Sequence, residues 1–324
     1  MNILVCGGAG YIGSHMAQWL AEAGHSVTVL DNLSTGHRQA VKWGELVEAD
    51  LLDPVSLERV FSARRFDAVM HFCARSLVGE SVRQPYDYYA NNVTGTLHLL
   101  GAMRHHGVER LVFSSTAAVF GNPVSELIDE DHPKAPINPY GASKLMVERI
   151  LADAADAYGL RSVALRYFNA AGALPEHGIG EAHACETHLI PNALRAALGT
   201  GPALKLFGDD YPTPDGTCVR DYVHVQDLAQ AHALALEFMD REAGAHAFNL
   251  GNGQGFSVRE VIAASARVAG RPVPHEVAPR REGDPARLVA SSQRARELLG
   301  WRPVWTDLDA IIDSAWRWHQ AQAF

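Results

Sequence analysis

Tyr140 and Lys144 stand four apart in Tyr-Gly-Ala-Ser-Lys, some two dozen residues after Ser114-Ser115-Thr116. On a helix, residues at that spacing project from one face. Far upstream, Gly7-Gly-Ala-Gly10-Tyr-Ile-Gly13 follows the apolar run Ile3-Leu4-Val5, as a phosphate-cradling turn would. Together these residues could remove a hydroxyl proton with a phenol while a dinucleotide accepts a hydride. A free tyrosine, with a pKa of about 10, is a poor base at neutral pH. A nearby ammonium and the positive charge of an oxidised nicotinamide both favour the phenolate. Lowering the pKa by ~3 units takes roughly 4 kcal/mol of charge stabilisation, a magnitude available in a closed site. The bland alternative is a surface tyrosine beside a solvated lysine, and the glycine-rich opening weighs against it.

Gly7, Gly10 and Gly13 have GxxGxxG spacing. Their lack of side chains permits a tight turn and close backbone approach, after which a helix N-terminus faces the pyrophosphate. Tyr11 and Ile12 fall in the first helical turn. Asp31 ends the second predicted strand, 18 residues after Gly13, where a carboxylate binds adenosine ribose hydroxyls and repels a 2′-phosphate. NAD is therefore expected over NADP. Asp50 is placed for the adenine edge, with a helix-capping role ahead of Pro54 as its alternative. Asn32 and Leu51, next to the two acids, complete the contacts expected on that side.

The elements that must position these groups alternate. Segments 2–5, 26–30, 46–47, 68–72, 111–114 and 162–166 read as short apolar strands. Segments 12–23, 54–64, 86–106 and 139–157 read as helices. Such alternation, with continuously apolar strands, predicts a parallel sheet covered on both faces: an α/β, Rossmann-type, doubly wound fold. Asn138-Pro139 supplies an N-cap and a first-turn proline for the helix carrying Tyr140 and Lys144. After about residue 170 the rhythm breaks into loops at 171–187, 208–218 and 272–285. The expected division is a dinucleotide-binding domain over 1–170 and a smaller, loop-rich α/β domain over most of 171–324. Segments 219–233 and 246–251 are expected to return to the first domain, with 219–225 and 247–250 as strands of its sheet.

The 324 residues carry a net charge of −9, and no basic run offsets it, so nucleic acid is not expected as a partner. No apolar run approaches the ~20 residues of a membrane span, and no signal-peptide pattern is apparent. A cytoplasmic enzyme is the resulting expectation. Cys6, Cys73, Cys185 and Cys218 lack CxxC spacing and read as structural thiols. The segment His183-Ala-Cys185-Glu-Thr-His188 contains metal-ligating residue types. It falls short of the four closed ligands of a structural zinc site, so no metal is expected.

The chain resembles the extended short-chain dehydrogenase/reductase family, and more narrowly its UDP-glucose (UDP-galactose) 4-epimerase branch. Besides the motifs above, the resemblance is carried by His71-Phe-Cys-Ala, Val78-Gly-Glu-Ser-Val82, Tyr88-Tyr-Ala-Asn-Asn92 and Leu165-Arg-Tyr-Phe-Asn169. In the second half it is carried by Phe207-Gly-Asp-Asp-Tyr-Pro212, Asp215-Gly-Thr-Cys-Val-Arg-Asp-Tyr222, Asn249-Leu-Gly251 and Arg280-Arg-Glu-Gly-Asp284. These later motifs point to a nucleotide sugar, not to the fold alone. The resemblance implies that Tyr140 takes the 4-hydroxyl proton, Thr116 hydrogen-bonds the reacting oxygen and Lys144 anchors the nicotinamide ribose. It implies tightly bound NAD, which ends each turnover as it began. Phe72, Asn91 and Phe168 would line the nicotinamide side. On the nucleotide side, Arg220 and Arg281 would clamp the pyrophosphate and Asp284 would meet the uridine ribose. Phe207 would support the uracil, Asn169 would bind the phosphate or sugar, and Leu189 would offer backbone contacts. It also suggests a homodimer built on helices 86–106 and 139–157.

One local reading discriminates among related chemistries. Eliminating water from C6 after loss of the C5 proton needs a further acid and base near the sugar. Relatives that do this carry Asp-Glu directly after the threonine, and decarboxylating relatives a glutamate; here the residues are Ala117 and Ala118. Oxidation and return at C4 is what methyl groups leave. Ser76 replaces a lysine found in some members, and Phe120 a common tyrosine, so any cofactor contact at 76 differs. Leu288 aligns with a gate whose bulk governs acceptance of N-acetylated sugars, so some activity on UDP-N-acetylglucosamine is expected. The open alternatives are a 4-epimerase of another UDP-sugar (N-acetylhexosamine, pentose or uronate), a dehydrogenase releasing NADH, and a catalytically silent NAD-sensing regulator. The presence of both Tyr140 and Lys144 weighs against the last.

Overall fold

The computed structural model describes residues 1–281, 284–322 and 324. From the N-terminus, β1 (Asn2–Cys6) leads into α1 (Tyr11–Glu22), β2 (Ser26–Asp31), β3 (Glu45–Glu48), α2 (Pro54–Ala63) and β4 (Ala68–His71). Next come α3 (Val78–Arg83), α4 (Pro85–Tyr89), α5 (Gly95–His105), β5 (Arg110–Thr116), α6 (Pro139–Tyr158) and β6 (Arg161–Tyr167). The second half contributes β7 (Asn169–Ala171), α7 (Leu189–Leu198), β8 (Leu204–Phe207), β9 (Val219–Arg220), β10 (Tyr222–His224) and α8 (Val225–Arg241). It closes with β11 (Ala245–Leu250), β12 (Phe256–Ser257), α9 (Val258–Ala269), β13 (His275–Ala278), β14 (Arg287–Leu288) and α10 (Leu308–Gln320).

Seven strands form one parallel sheet in the order β11-β6-β5-β4-β1-β2-β3. The period of two in each strand sorts side chains between two cores. Ile3, Val5, Val29, Met70 and Val163 point to one face and pack against α1 and α8. Leu4, Cys6, Leu30, Val69 and Phe113 point to the other and pack against α2, α5 and α6. Strand order reverses between β1 and β4, which opens a crevice at their carboxyl ends, the usual seat of a dinucleotide in such sheets. This is the doubly wound architecture expected from the alternation.

A third core lies in the second half, where α7, α9 and α10 pack through Ile190, Leu194, Val261, Ile311 and Ile312. Two details of the strand expectations change. The stretch 219–225 does not rejoin the large sheet. Asp221 interrupts it by turning its carboxylate inward to accept from the backbone N–H groups of Asn252, Gly253 and Ala290. The resulting β9 pairs with β12 and β14, and β10 pairs with β7. Segment 272–285, read as a loop, contains β13, which pairs in parallel with β8. By contrast, β11 pairs with β6 in the large sheet. Among the described residues, no helix is long and apolar enough to cross a membrane.

Candidate active site

The residues with chemical potential converge on the carboxyl ends of β1, β4 and β5. At the end of β1, Gly7 takes a left-handed φ of 82° and lies against the chain leaving β4. A Cβ there would sit 2.7 Å from the Cys73 nitrogen. At Gly13 it would sit 2.1 Å from the Gly7 carbonyl oxygen, so the first turn of α1 presses directly on the loop. Gly10, the N-cap, makes no side-chain cap bond, and a Cβ there would meet only Gly7 O at 3.4 Å. The N–H groups that open α1 are thus left facing clear space, an anion seat formed by backbone and helix dipole.

Asp31 closes this cradle from β2. Its Oδ2 accepts from Ala9 N at 2.9 Å and its Oδ1 from Leu33 N at 2.8 Å. Burial raises its carboxyl above the ordinary value, and those two N–H groups oppose the rise. Lone pairs remain on both oxygens for ribose hydroxyls. Leu33 holds a left-handed φ of 57°, which turns the chain away from the carboxylate. Beside it, Asn32 Nδ2 donates to Asp50 Oδ2 at 2.9 Å, while the Leu51 carbonyl accepts from His98. These residues fit a pyridine dinucleotide lacking a 2′-phosphate. Two of the expected cofactor residues already have partners within the chain. The Tyr11 hydroxyl is committed to the Gly172 carbonyl at 2.6 Å, and the Phe72 ring packs against His232 at 4.8 Å.

Asn138 caps α6 by accepting from Gly141 N at 2.9 Å, and Pro139 occupies its first turn. Tyr140 then faces Thr116, the last residue of β5, whose side chain favours the phenolate. Close contact is possible because position 141 is glycine: a Cβ there would be 2.4 Å from the Ala118 carbonyl oxygen. One turn along, Lys144 is almost fully buried. Its Nζ donates to Ser114 O at 2.7 Å and lies 6.0 Å from the centre of the Tyr140 ring. Burial lowers the Lys144 ammonium to about 7, against the opposing influence of Cys73 and Glu148. Burial also pushes the Tyr140 phenol above its ordinary value, while the neighbouring Thr116 side chain opposes the rise. The lowered phenol expected from sequence thus depends on the positive charge that an oxidised nicotinamide would add.

Behind these groups lies support that the sequence reading missed. Glu148 accepts from Ser115 Oγ at 2.6 Å and from Arg166 Nε at 2.8 Å, which pins α6 to β5 and β6. The Tyr167 hydroxyl donates to Ser114 Oγ. A π turn at Ala90–Thr94 joins α4 to α5 and carries Asn91 and Asn92. Asn92 Nδ2 donates to Ser143 Oγ and to Arg75 O, and Asn91 donates to Asn92. Glu148 follows Lys144 by four residues, a spacing that could have signalled its shared helix face.

On the second-half side, Arg220 donates to Asp284 Oδ1 at 3.2 Å and to the Pro285 carbonyl at 2.9 Å. The Arg281 guanidinium covers the Phe207 ring at 3.9 Å. Glu282 and Gly283 of the same motif lie outside the described residues. Asn169 donates its side-chain amide to Asp221 O, and Leu189 opens α7 against the third core. Phe168 and Leu288 pack on one small apolar cluster with Val119, Phe120 and Ile128.

Residues 3–251 match the model of the NAD dependent epimerase/dehydratase family. A UDP-glucose 4-epimerase of Halalkalibacterium halodurans is 52% identical over 320 residues, 99% of this chain and 96% of the relative. A crystal structure of a UDP-glucose 4-epimerase superposes with a TM-score of 0.97 at 50% identity, over 99% of this chain and 98% of the other. The Brucella ovis UDP-glucose 4-epimerase in complex with NAD gives 0.94 at 51% identity, with 97% of each chain covered.

Proposed function

Because this chain belongs to the NAD dependent epimerase/dehydratase family, we propose that it interconverts UDP-galactose and UDP-glucose by inverting C4. The protein is an NAD-dependent epimerase, with a fold and relatives that are those of UDP-glucose 4-epimerases. Bound NAD supplies a reversible acceptor for the C4 hydride. The observation that carries the reading is Tyr140 against Thr116 and above Lys144, beside the cradle of Gly7, Gly10 and Gly13, with only methyl groups at Ala117 and Ala118.

In this reading Tyr140 Oη takes the proton from the 4-hydroxyl and later returns it. Thr116 Oγ1 holds the reacting oxygen against the phenol. Lys144 fixes the nicotinamide ribose, and its charge favours the phenolate at the moment of proton transfer. No acid or base stands at 117 or 118 to draw the 4-keto sugar toward elimination, so reduction on the opposite face completes the inversion. Arg220 and Arg281 neutralise the pyrophosphate in a geometry suited to guanidinium forks. Asp284, paired with Arg220, would exchange that partner for the uridine ribose.

The first half with α8 and β11 is assigned to NAD, and the second half mainly to the nucleotide sugar. A cytoplasmic homodimer through α4–α6 is part of this reading, and those helices carry the exposed apolar residues Tyr86, Leu97 and Met146. Incubation with UDP-galactose and no added cofactor tests the reading. A mixture of both sugars without NADH build-up is expected, and no conversion even with NAD supplied would overturn it.

A further inference from the structure

Between β7 and α7 the chain gathers four side chains that the epimerisation does not use. The Glu181 and Glu186 side chains are only 5% and 3% exposed, yet both carry titratable oxygens into the same spot as two imidazoles. His183 Nδ1 lies 3.1 Å from Glu181 Oε1 and 3.5 Å from Glu186 Oε2. His188 Nδ1 contacts Glu181 Oε1 and lies 3.6 Å from Glu186 Oε1. One ligating atom from each of the four falls within 4.8 Å of all the others. Buried carboxylates in such a place require compensating positive charge. A proton on each imidazole nitrogen serves one partner well, whereas here each Nδ1 faces both carboxylates.

We propose that Glu181, His183, Glu186 and His188 bind one divalent transition-metal ion, with zinc the best match to the donors. Four N and O donors at 2.0–2.1 Å from a tetrahedral zinc lie about 3.3–3.4 Å from one another. Three of the four histidine–carboxylate separations, 3.1, 3.5 and 3.6 Å, bracket that edge length, while the His188–Glu181 contact is tighter. Two imidazoles and two carboxylates suit zinc better than calcium or magnesium, which prefer all-oxygen shells. An outer shell is already in place. Glu186 Oε1 accepts from the backbone of Thr187 and His188, Asn192 donates to the His188 carbonyl, and Trp318 Nε1 donates to the Glu181 carbonyl. A surface cavity of about 320 Å³, bordered by Arg195, Thr200 and His319, gives the ion a way in.

The expectation of no metal was drawn from the segment 183–188, which Glu181 precedes. Cys185 is exposed and outside the cluster, and Glu181 supplies the missing donor. With all four positions filled by protein, the ion is structural. It would fix the segment that runs from the Gly180 contact with Trp318, past the His37 bond to the Ala182 carbonyl, to the His188 N-cap of α7. That segment joins the dinucleotide side to the helix that begins with Leu189.

The test strips the full-length protein with a chelator and titrates it with Co²⁺, then Zn²⁺. The proposal predicts one Co²⁺ per chain with the intense visible absorption of tetrahedral cobalt, displacement by one equivalent of Zn²⁺, and a rise in Tm that saturates at that equivalent. His183→Ala and His188→Ala should abolish the absorption and the Tm rise, while Cys185→Ser keeps both. If the histidine variants do not fold, the titration of the unsubstituted chain decides by itself. Pale octahedral absorption, a Tm indifferent to zinc, or equal binding by folded histidine variants would overturn the site.

Discussion

Gly141→Ala adds a single methyl group in the turn that carries the catalytic phenol, and its consequence follows from one distance. The new Cβ would stand 2.4 Å from the Ala118 carbonyl oxygen, with the Ala118 carbonyl carbon at 2.9 Å. Ordinary contact needs about 3.5 Å, so α6 and the 117–119 turn must separate by roughly 1 Å at that point. The obstacle is backbone, which yields less readily than the end of a flexible side chain. Thr116 begins that turn and Tyr140 precedes Gly141, so the separation falls on the contact between hydroxyl and phenol. A misplacement of ~1 Å in a reacting geometry costs on the order of 10²-fold in rate. Strain of about 1–3 kcal/mol is partly offset by the ~1 kcal/mol that alanine gains over glycine within a helix. The variant should therefore fold with Tm lowered by a few degrees at most, retain its NAD, and lose about 10²-fold in kcat for UDP-galactose. Steady-state rates, cofactor content and a thermal melt measured on one preparation check all three. A kcat within about threefold of the unsubstituted protein would refute the claim that this close approach sets the catalytic geometry.

Lys144→Met should be inactive yet more stable at neutral pH. Burial holds the folded-state pKa of Lys144 at about 7, below its ordinary 10.5, so between those values the unfolded chain binds more protons and stability rises with pH. The stability penalty is full below about pH 7, and the Tm advantage of the variant should shrink as pH rises toward 10; parallel melting curves would contradict this. Arg220→Ala removes a charge-assisted donor and leaves Asp284 without its partner, so calorimetry should read UDP affinity about 10–100-fold weaker with NAD content unchanged. Leu288→Tyr enlarges a residue packed beside Phe168 and Phe120, and should lower turnover of UDP-N-acetylglucosamine more than that of UDP-galactose, as measured by chromatography of both reactions.

Much of the scaffold was legible because its signals are local. Alternating apolar strands and capped helices follow from short-range patterns, and Asn138 caps α6 as its position ahead of Pro139 predicts. The placement of Tyr140 and Lys144 on one helical face is likewise a matter of period. What escaped depends on distant partners. The break at Asp221 exists because three N–H groups from residues 252–290 need its carboxylate, and no local pattern announces them. The π turn at Ala90–Thr94 keeps enough helical periodicity to read as one helix over 86–106. Glu181 lies outside the 183–188 window whose residue types suggested a metal, and only folding brings its oxygen to them. The commitment of the Tyr11 hydroxyl to Gly172 joins residues 161 apart and could not be read from a glycine-rich motif.

The central claim is that one hydride leaves C4 and returns to the same carbon on its other face. UDP-galactose deuterated at C4 tests it most directly, with product analysed by mass spectrometry and the nicotinamide absorbance followed in parallel. The account predicts UDP-glucose that retains the deuterium at C4 through many turnovers, no net NADH, and no reaction with Tyr140→Phe. Loss of the label to solvent, or NADH accumulating in step with a ketosugar, would contradict it.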